Sequence, residues 1–190
     1  TPEAVLRRAV GGAWAEHLAA LARGHDPRPV CPRREEKSIG AEVTFPEDVP
    51  RGERLDAAVL ALADKAAHRM RVAGFASHTV AVKVRTADFT TISRSRTLAG
   101  ATNLTKTIAE AARDLVAAVD LRGMPVRLVG VRLEQLVSPE RMTIQPTLDG
   151  HDVADAERQA QEAGDAIRGR FGPRALRPAS LLGDATGFPS

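Results

Sequence analysis

The sequence predicts an α+β domain in which strands and helices follow one another in the order β-α-β-β-α-β, the ferredoxin-like arrangement. Three observations between residues 38 and 137 lead to this prediction. One segment alternates strictly between apolar and polar residues, two segments repeat apolar residues at helical spacing, and a three-residue turn separates two further strand-like runs. Two helices then cover one face of an antiparallel sheet, so we expect a binding surface on the opposite, open face.

The first half of this domain is predicted to contain one strand and one helix. Apolar residues alternate with polar or small ones from Lys37 to Phe45, which is typical of a strand with one buried face. The segment Pro46–Pro50 is expected to turn the chain. A helix is predicted from about Glu53 to Ala73, because its apolar residues recur on one face and Gly74 supplies an end signal.

The second half is predicted to contain three strands and a helix. Strands near His78–Arg85 and Phe89–Thr97 are separated by Thr86–Asp88, which is short enough for a hairpin. A helix follows over about Leu104–Asp120, and a last strand over Val126–Leu136. These elements complete the split βαβ order.

Residues outside this domain follow different patterns. Residues 1–24 predict two short helices, separated by Gly11 and Gly12. Residues 25–37 contain three prolines among charged residues, which favours an extended linker. Residues 138–190 form a tail without a strand pattern, in which a helix is predicted from Val153 to Arg170.

The formal charge of +3 is unevenly distributed along the chain. Residues 134–190 contain nine carboxylates and six arginines, so this end sums to −3 and residues 1–133 carry +6. A basic body favours a polyanionic partner, because lysine and arginine gain affinity by releasing counterions from phosphates. The single cysteine excludes an intrachain disulfide, and no apolar run reaches membrane-spanning length. We therefore expect a cytoplasmic protein with no membrane partner; the histidines show no metal-site spacing, and no metal site is expected.

The predicted open face is small, hydroxylated and basic. If Val80, Val82 and Val84 point into the core, Lys83 and Arg85 point outward. The other strands add cations, hydroxyls and a glycine where a ligand could approach the backbone, a set that suits phosphate contacts: Ser38, Gly40, Thr91, Ser93, Arg94, Ser95 and Arg96. Glu42 is the exception, since its predicted outward position places a carboxylate near these cations, with one of which it could pair.

The presence or absence of aromatic residues on such a sheet distinguishes RNA binding from contact with duplex phosphates. RNA-recognition modules of this topology stack bases on sheet aromatics, whereas this chain has no tyrosine and its one tryptophan, Trp14, lies outside the predicted domain. The pattern therefore favours contacts with duplex phosphates. An independent RNA-binding or protein-interaction module of the same fold stays open as the alternative.

Three blocks of the sequence resemble one family in the right order. They are ARGHDPRPV at 22–30 with EEKSIGAEVTF at 35–45, VKVRTADFTTISRS at 82–95, and VRLVGVRL at 126–133. Together they are similar to the C-terminal portion of the DinB class of Y-family translesion DNA polymerases. The resemblance covers about Thr1–Val137, and Phe171–Gly172 with Arg177–Leu182 is similar to the ends of actinobacterial members.

The resemblance implies a role for each part of the chain. Residues 1–24 correspond to a thumb remnant, 25–37 to a linker, 38–137 to the little-finger domain, and 138–190 to a C-terminal tail. The parent protein is implied to be a DNA-directed DNA polymerase that uses palm carboxylates and Mg²⁺. No residue here matches the palm or fingers motifs, so we expect no catalytic residue, no cofactor in this chain and no activity from it alone.

The implied task of the little finger is to hold template-primer duplex DNA from the major-groove side, as a monomer. The resemblance implies that the residues at the matching motif positions contact DNA: Lys37, Ser38, Gly40, Arg85, Thr91, Ser93, Arg94 and Ser95. Lys83 and Arg96 are added to this predicted DNA-binding set because of the basic charge pattern of the open face.

A sliding-clamp motif is the second implied feature. Family members carry a peptide resembling Gln-Leu-x-Leu-Phe beyond the little finger, and Gln145-Pro-Thr-Leu148-Asp is similar to it. The sequence departs from the motif at the positions after Gln145 and after Leu148. Ile144, Gln145 and Leu148 are the predicted clamp anchors. An ordinary linker here, or a competing motif at 135–137, stays open.

Overall fold

The computed structural model describes residues 3–29, 36–138, 151–172 and 175–181, without the side chains of 151–155. The chain divides into two compact units, Thr1–Glu35 and Glu36–Ser190. The predicted clamp anchors Ile144, Gln145 and Leu148 lie outside the described residues.

The first unit contains two short helices, α1 (Glu3–Val10) and α2 (Gly12–Ala22). Gly11 joins them with a φ of 80°, a left-handed conformation that glycine adopts without strain. The helix α2 ends at Ala22. Gly24 follows with a φ of 77°, and the N–H of His25 donates back to the carbonyl of Ala20 at 2.9 Å.

The second unit follows the predicted element order. Its elements are β1 (Ser38–Val49), α3 (Glu53–Val72), β2 (Ala76–Thr86), β3 (Thr91–Thr102), α4 (Thr105–Ala117), β4 (Val126–Val137) and α5 (His151–Phe171). All neighbouring strands are antiparallel, in the order β1-β4-β2-β3. The α+β class with β-α-β-β-α-β order is thereby confirmed, with β2 and β4 central and β1 and β3 at the two edges.

The core lies between the sheet and helices α3 and α4. The central strands contribute apolar residues that are each at most 2% exposed, the first three as predicted: Val80, Val82, Val84, Val129, Val131 and Leu133. Leu55 and Met70 of α3 and Ile108 of α4 pack against them. Because both helices lie on this one face, the opposite face of the sheet stays open.

Two strand ends differ from the prediction. Strand β1 continues through Pro46 to Val49, with a shift of register after Thr44. An edge strand tolerates such a proline, because the missing N–H costs no ladder hydrogen bond on the solvent side. Strand β3 begins at Thr91 because Phe89 lies in the hairpin turn, with a φ of 65°.

Helix α5 packs on the outer side of α3 and α4. Arg71 of α3 donates from Nε to a carboxylate oxygen of Asp165 at 2.6 Å and from Nη1 to the carbonyl of Asn103 at 2.8 Å. Thr105 at the start of α4 donates to Gln161 at 2.8 Å. The sequence predicted this helix, but not that it docks on the domain.

A second ion pair lies one turn further along α5. Arg168 donates two hydrogen bonds to Asp64 of α3, at 2.8 and 3.2 Å. Its Nε also donates to the carbonyl of Leu176 at 3.1 Å, which brings the chain back along α5 to a short 3-10 helix at Ala179–Leu181. Arg168 therefore connects α3, α5 and the segment that follows α5.

Asp165 of α5 is the common partner of Arg71 and His68 of α3. Burial by itself raises the pKa of the Asp165 carboxyl, but the hydrogen bonds from Arg71 and His68 outweigh burial and bring that pKa below its ordinary value of 3.8. The carboxylate thus stays charged between Arg71 and His68, whose Nδ1 lies 2.8 Å from it.

Candidate nucleic-acid interface

The register of the sheet arranges the side chains of its open face in rows that cross all four strands. One row joins Glu42, Gly130, Lys83 and Ser93, and its neighbours join Gly40, Arg132, Ala81 and Ser95, and Thr44, Leu128, Arg85 and Thr91. Small residues at the centre leave a shallow depression of about 300 Å³. Charged and hydroxylated side chains surround this depression.

Most of the predicted site residues lie on this face. Ser38 and Gly40 come from β1, and Lys83 and Arg85 come from β2. Strand β3 adds three exposed hydroxyl residues, which are Thr91, Ser93 and Ser95. Lys37 directly precedes β1 and is exposed. The structure therefore brings eight of the ten predicted residues onto or beside one surface.

Arg94 and Arg96 are the exceptions, because the structure does not place them on the open face as predicted. The register pairs Arg94 with Val82 and Arg96 with Val80, so both arginines leave β3 on the side that the helices cover. The reason is the two-residue period of a strand, which separates them from Ser93 and its alternate neighbours. Both remain exposed because β3 lies at the edge of the sheet.

The two arginines have different partners on that side. Arg96 Nη1 lies 3.1 Å from a carboxylate oxygen of Asp114 on α4. Arg94 donates from Nη1 to the carbonyl of Ser93 at 2.9 Å. Arg94 is thus held by its own strand, whereas Arg96 is tied to the helical layer.

The two glycines of the open face are explained by strand packing. A Cβ at Gly40 would lie 2.9 Å from the carbonyl oxygen of Val131 and 3.3 Å from the Cα of Arg132. A Cβ at Gly130 would lie 3.0 Å from the Cβ of Glu42. The backbone of β4 therefore accounts for the glycine at position 40, which also lines the central depression.

Carboxylates accompany the cations of the open face. Glu42 points outward, as predicted, and forms an ion pair with Lys83. Arg132 lies 2.5 Å from a carboxylate oxygen of Glu134 on the same strand. Sequence reasoning missed Glu134. Because Glu134 lies two residues after Arg132 on β4, the sequence could have placed both side chains on the same face of the sheet.

The hairpin between β2 and β3 carries an aromatic contact that sequence reasoning also missed. Phe89 is 63% exposed, and the guanidinium carbon of Arg127 lies 4.7 Å from the centre of its ring, a favourable cation–π geometry. Asp88 accepts hydrogen bonds from Thr86 and Thr90, and these hold the pKa of the Asp88 carboxyl below its ordinary value. These hydrogen bonds connect the two sides of the turn through Asp88.

The described part of the chain contains neither a membrane-spanning helix nor a metal-binding cluster. No described helix is both long and apolar enough to cross a membrane. Within residues 3–29, 36–138, 151–172 and 175–181, no three His, Cys, Asp or Glu side chains come together in a way that could hold a metal ion.

A family model matches residues 36–148, and its description is "impB/mucB/samB family C-terminal domain". The matched range contains the whole sheet with α3 and α4. It therefore includes every residue of the open face.

Curated relatives that bear the name DNA polymerase IV agree with this match. A protein from Desulfatibacillum aliphaticivorans is 36% identical over 173 residues, which cover 91% of this chain and 44% of that relative. One from Caulobacter vibrioides is 36% identical over 87% of this chain and 40% of its own length. One from Streptomyces coelicolor is 40% identical over 69% of this chain and 27% of its own length. The chain thus spans less than half of each of these relatives, and it belongs to the family that the matching model describes, as an impB/mucB/samB family C-terminal domain.

Proposed function

We propose that this chain is the DNA-gripping part of a translesion DNA polymerase, which synthesises DNA across damaged template bases. The names of the relatives support DNA synthesis as the activity of the parent protein. Phosphoryl transfer needs carboxylates that hold Mg²⁺ between the nucleophile and the triphosphate. We assign those carboxylates to the palm of the parent polymerase, and a thumb remnant, a linker and a little finger to this chain.

Strand β3 is the observation that carries the duplex-binding proposal. It is exposed on both faces for most of its length, with the hydroxyls of Ser93 and Ser95 on one face and the cations of Arg94 and Arg96 on the other. Lys83 lies beside Ser93 on the neighbouring strand. A phosphate backbone that follows β3 meets hydroxyls on one side and guanidinium groups on the other, a set of contacts that positions a duplex without reading its sequence.

Duplex affinity and its salt dependence provide the test. The wild-type chain is expected to bind template-primer duplex with an affinity that falls steeply as salt rises, because phosphate contacts release counterions. Lys83→Ala and Arg94→Ala should each weaken binding and lower the slope of log affinity against log salt by about 1. Fluorescence anisotropy titrations between low and moderate salt measure both quantities.

Arg113→Ala is the matched control, because it removes the same charge from an exposed residue of α4. Its affinity and salt slope should equal those of the wild type. Equal or stronger binding of single-stranded RNA would contradict the proposal and favour an RNA-binding module. Binding of a protein partner without any nucleic acid would favour a protein-interaction module.

We also propose that the segment after β4 tethers the polymerase to a sliding clamp through Ile144, Gln145 and Leu148. The support is the similarity of this segment to the clamp-binding peptide of the family. Together with the duplex proposal, it describes a cytoplasmic, monomeric protein that holds DNA and clamp at once.

A peptide of residues 141–151 is expected to bind a bacterial sliding clamp, because glutamine and apolar anchors dock such extended segments in preformed pockets. Gln145→Ala combined with Leu148→Ala should abolish the binding measured by calorimetry. Thr147→Ala in the same peptide is the control and should bind as the wild type does. Undiminished binding by the double variant would place the clamp site elsewhere.

A further inference from the structure

A carboxylate lies at the centre of the surface that the proposed function assigns to phosphates. Glu42 of β1 and Lys83 of β2 form an ion pair, although β4 runs between their two strands. The register places Glu42, Gly130 and Lys83 in one row. The ion pair therefore crosses the backbone of β4 directly above Gly130.

Gly130 is what permits this crossing. A Cβ at this position would lie 3.0 Å from the Cβ of Glu42 and 3.6 Å from its Oε2. Without a side chain at Gly130, Glu42 lies across β4 and reaches Lys83. The same three residues line the central depression of the open face, so the pair occupies the place where a phosphate would meet Lys83.

The exposure of the pair makes it exchangeable. The Lys83 side chain is 37% exposed and that of Glu42 54% exposed, and ion pairs with such access to water are individually weak. A DNA phosphodiester offers the same ammonium group one negative charge on two non-bridging oxygens, as the carboxylate does, and the neighbouring phosphates of the duplex add to its attraction. Lys83 is thus held in the free domain by a partner that a phosphodiester is able to replace.

We propose that Glu42 is an intramolecular competitor for DNA phosphate, which holds Lys83 in the free domain and sets how tightly the open face binds duplex. The inference rests on the proposed function, since it names the residue that opposes the proposed phosphate contact. When duplex binds, Lys83 exchanges the carboxylate of Glu42 for a phosphate, and Glu42 turns to solvent. Removing the carboxylate therefore strengthens binding through Lys83.

A double-mutant cycle tests this inference. Duplex affinity is measured at one low salt concentration for the wild type, Glu42→Gln, Lys83→Met and the double variant. Glu42→Gln is expected to tighten binding about fivefold when Lys83 is present, in proportion to the strength of an exposed ion pair. In the Lys83→Met background the same change should alter affinity less than about twofold.

Glu110→Gln on α4 is the charge-matched control, because it removes one exposed carboxylate from the helical side, and it should change affinity less than about twofold. Equal tightening by Glu42→Gln with and without Lys83 would overturn the inference, since it would show a general charge effect, while leaving the duplex proposal intact. Failure of all four proteins to bind duplex at low salt would overturn the proposed function itself, and the inference with it.

Discussion

Replacing Asp165 by alanine is expected to release helix α5 from the domain and to lower the free energy of unfolding by about 3 kcal/mol. The change leaves Arg71 without its carboxylate partner, although the Arg71 side chain is only 9% exposed. Arg168, which lies 3.7 Å from the same carboxylate, loses its second acidic neighbour. Denaturant unfolding measures the loss of stability. Hydrogen exchange measures the protection of the α5 amides, and this protection should fall before that of amides in the rest of the domain.

Glu162→Gln is the matched control for this prediction, since Glu162 is exposed on the same helix. Its effect should stay within about 0.5 kcal/mol. Acid should reproduce the Asp165 effect in the wild type. Because the folded-state pKa of Asp165 lies below its ordinary value of 3.8, its contribution is present above that value and is lost as the pH falls through the folded-state pKa.

The stability difference between the wild type and Asp165→Asn is therefore expected to be large at neutral pH and to shrink as the pH falls below 3.8. A difference that is the same at both pH values would show that Asp165 acts through packing rather than through its charge.

Gly40→Ala is expected to lower the free energy of unfolding by about 2 kcal/mol, because overpacking a filled site costs roughly 1–3 kcal/mol. The added Cβ would lie 2.9 Å from a backbone oxygen of β4, so β1 has to move away from its neighbour. The movement also disturbs the hydrogen bond that Arg69 Nη1 donates to the Gly40 carbonyl at 3.0 Å. Thermal and denaturant unfolding measure the loss.

Gly100→Ala in β3 is the matched control for Gly40→Ala. A Cβ at Gly100 would meet no described atom within 4 Å, and alanine reduces the entropy of the unfolded chain. Its stability should therefore equal or slightly exceed that of the wild type. A Gly40→Ala variant as stable as Gly100→Ala would contradict this prediction, because it would show that β1 moves away from β4 without a loss of stability.

The fold was predictable from the sequence because local patterns determine it. The alternation of Val80, Val82 and Val84 defined the buried side of β2, and all three are at most 2% exposed. Glycines at helix ends gave the helix boundaries, as at Gly74, whose φ is 73°. The end of β1 was less predictable. A proline usually ends a strand, but an edge strand tolerates one such as Pro46 on its solvent side.

The candidate site was only partly predictable, because its geometry depends on pairs of strands. Consecutive residues of a strand point to opposite faces, so Arg94 and Arg96 lie on the face opposite Ser93 although they are its neighbours in sequence. The ion pair of Glu42 with Lys83 depends on the order of β1, β4 and β2, which no single segment specifies. The docking of α5 likewise depends on contacts between residues about 95 positions apart, such as Arg71 and Asp165.

Strand β3 also carries features that oppose pairing with the edge strand of a second copy. An edge strand with free N–H and C=O groups is a template for aggregation. Between its pairings with Thr79 and Ser77, β3 advances from Thr97 to Thr102, a bulge that breaks the regular repeat a partner strand would need. Arg94 and Arg96 add like charges that repel a second β3. The two arginines that we propose as contacts for a polyanion thus also disfavour pairing between two β3 edges.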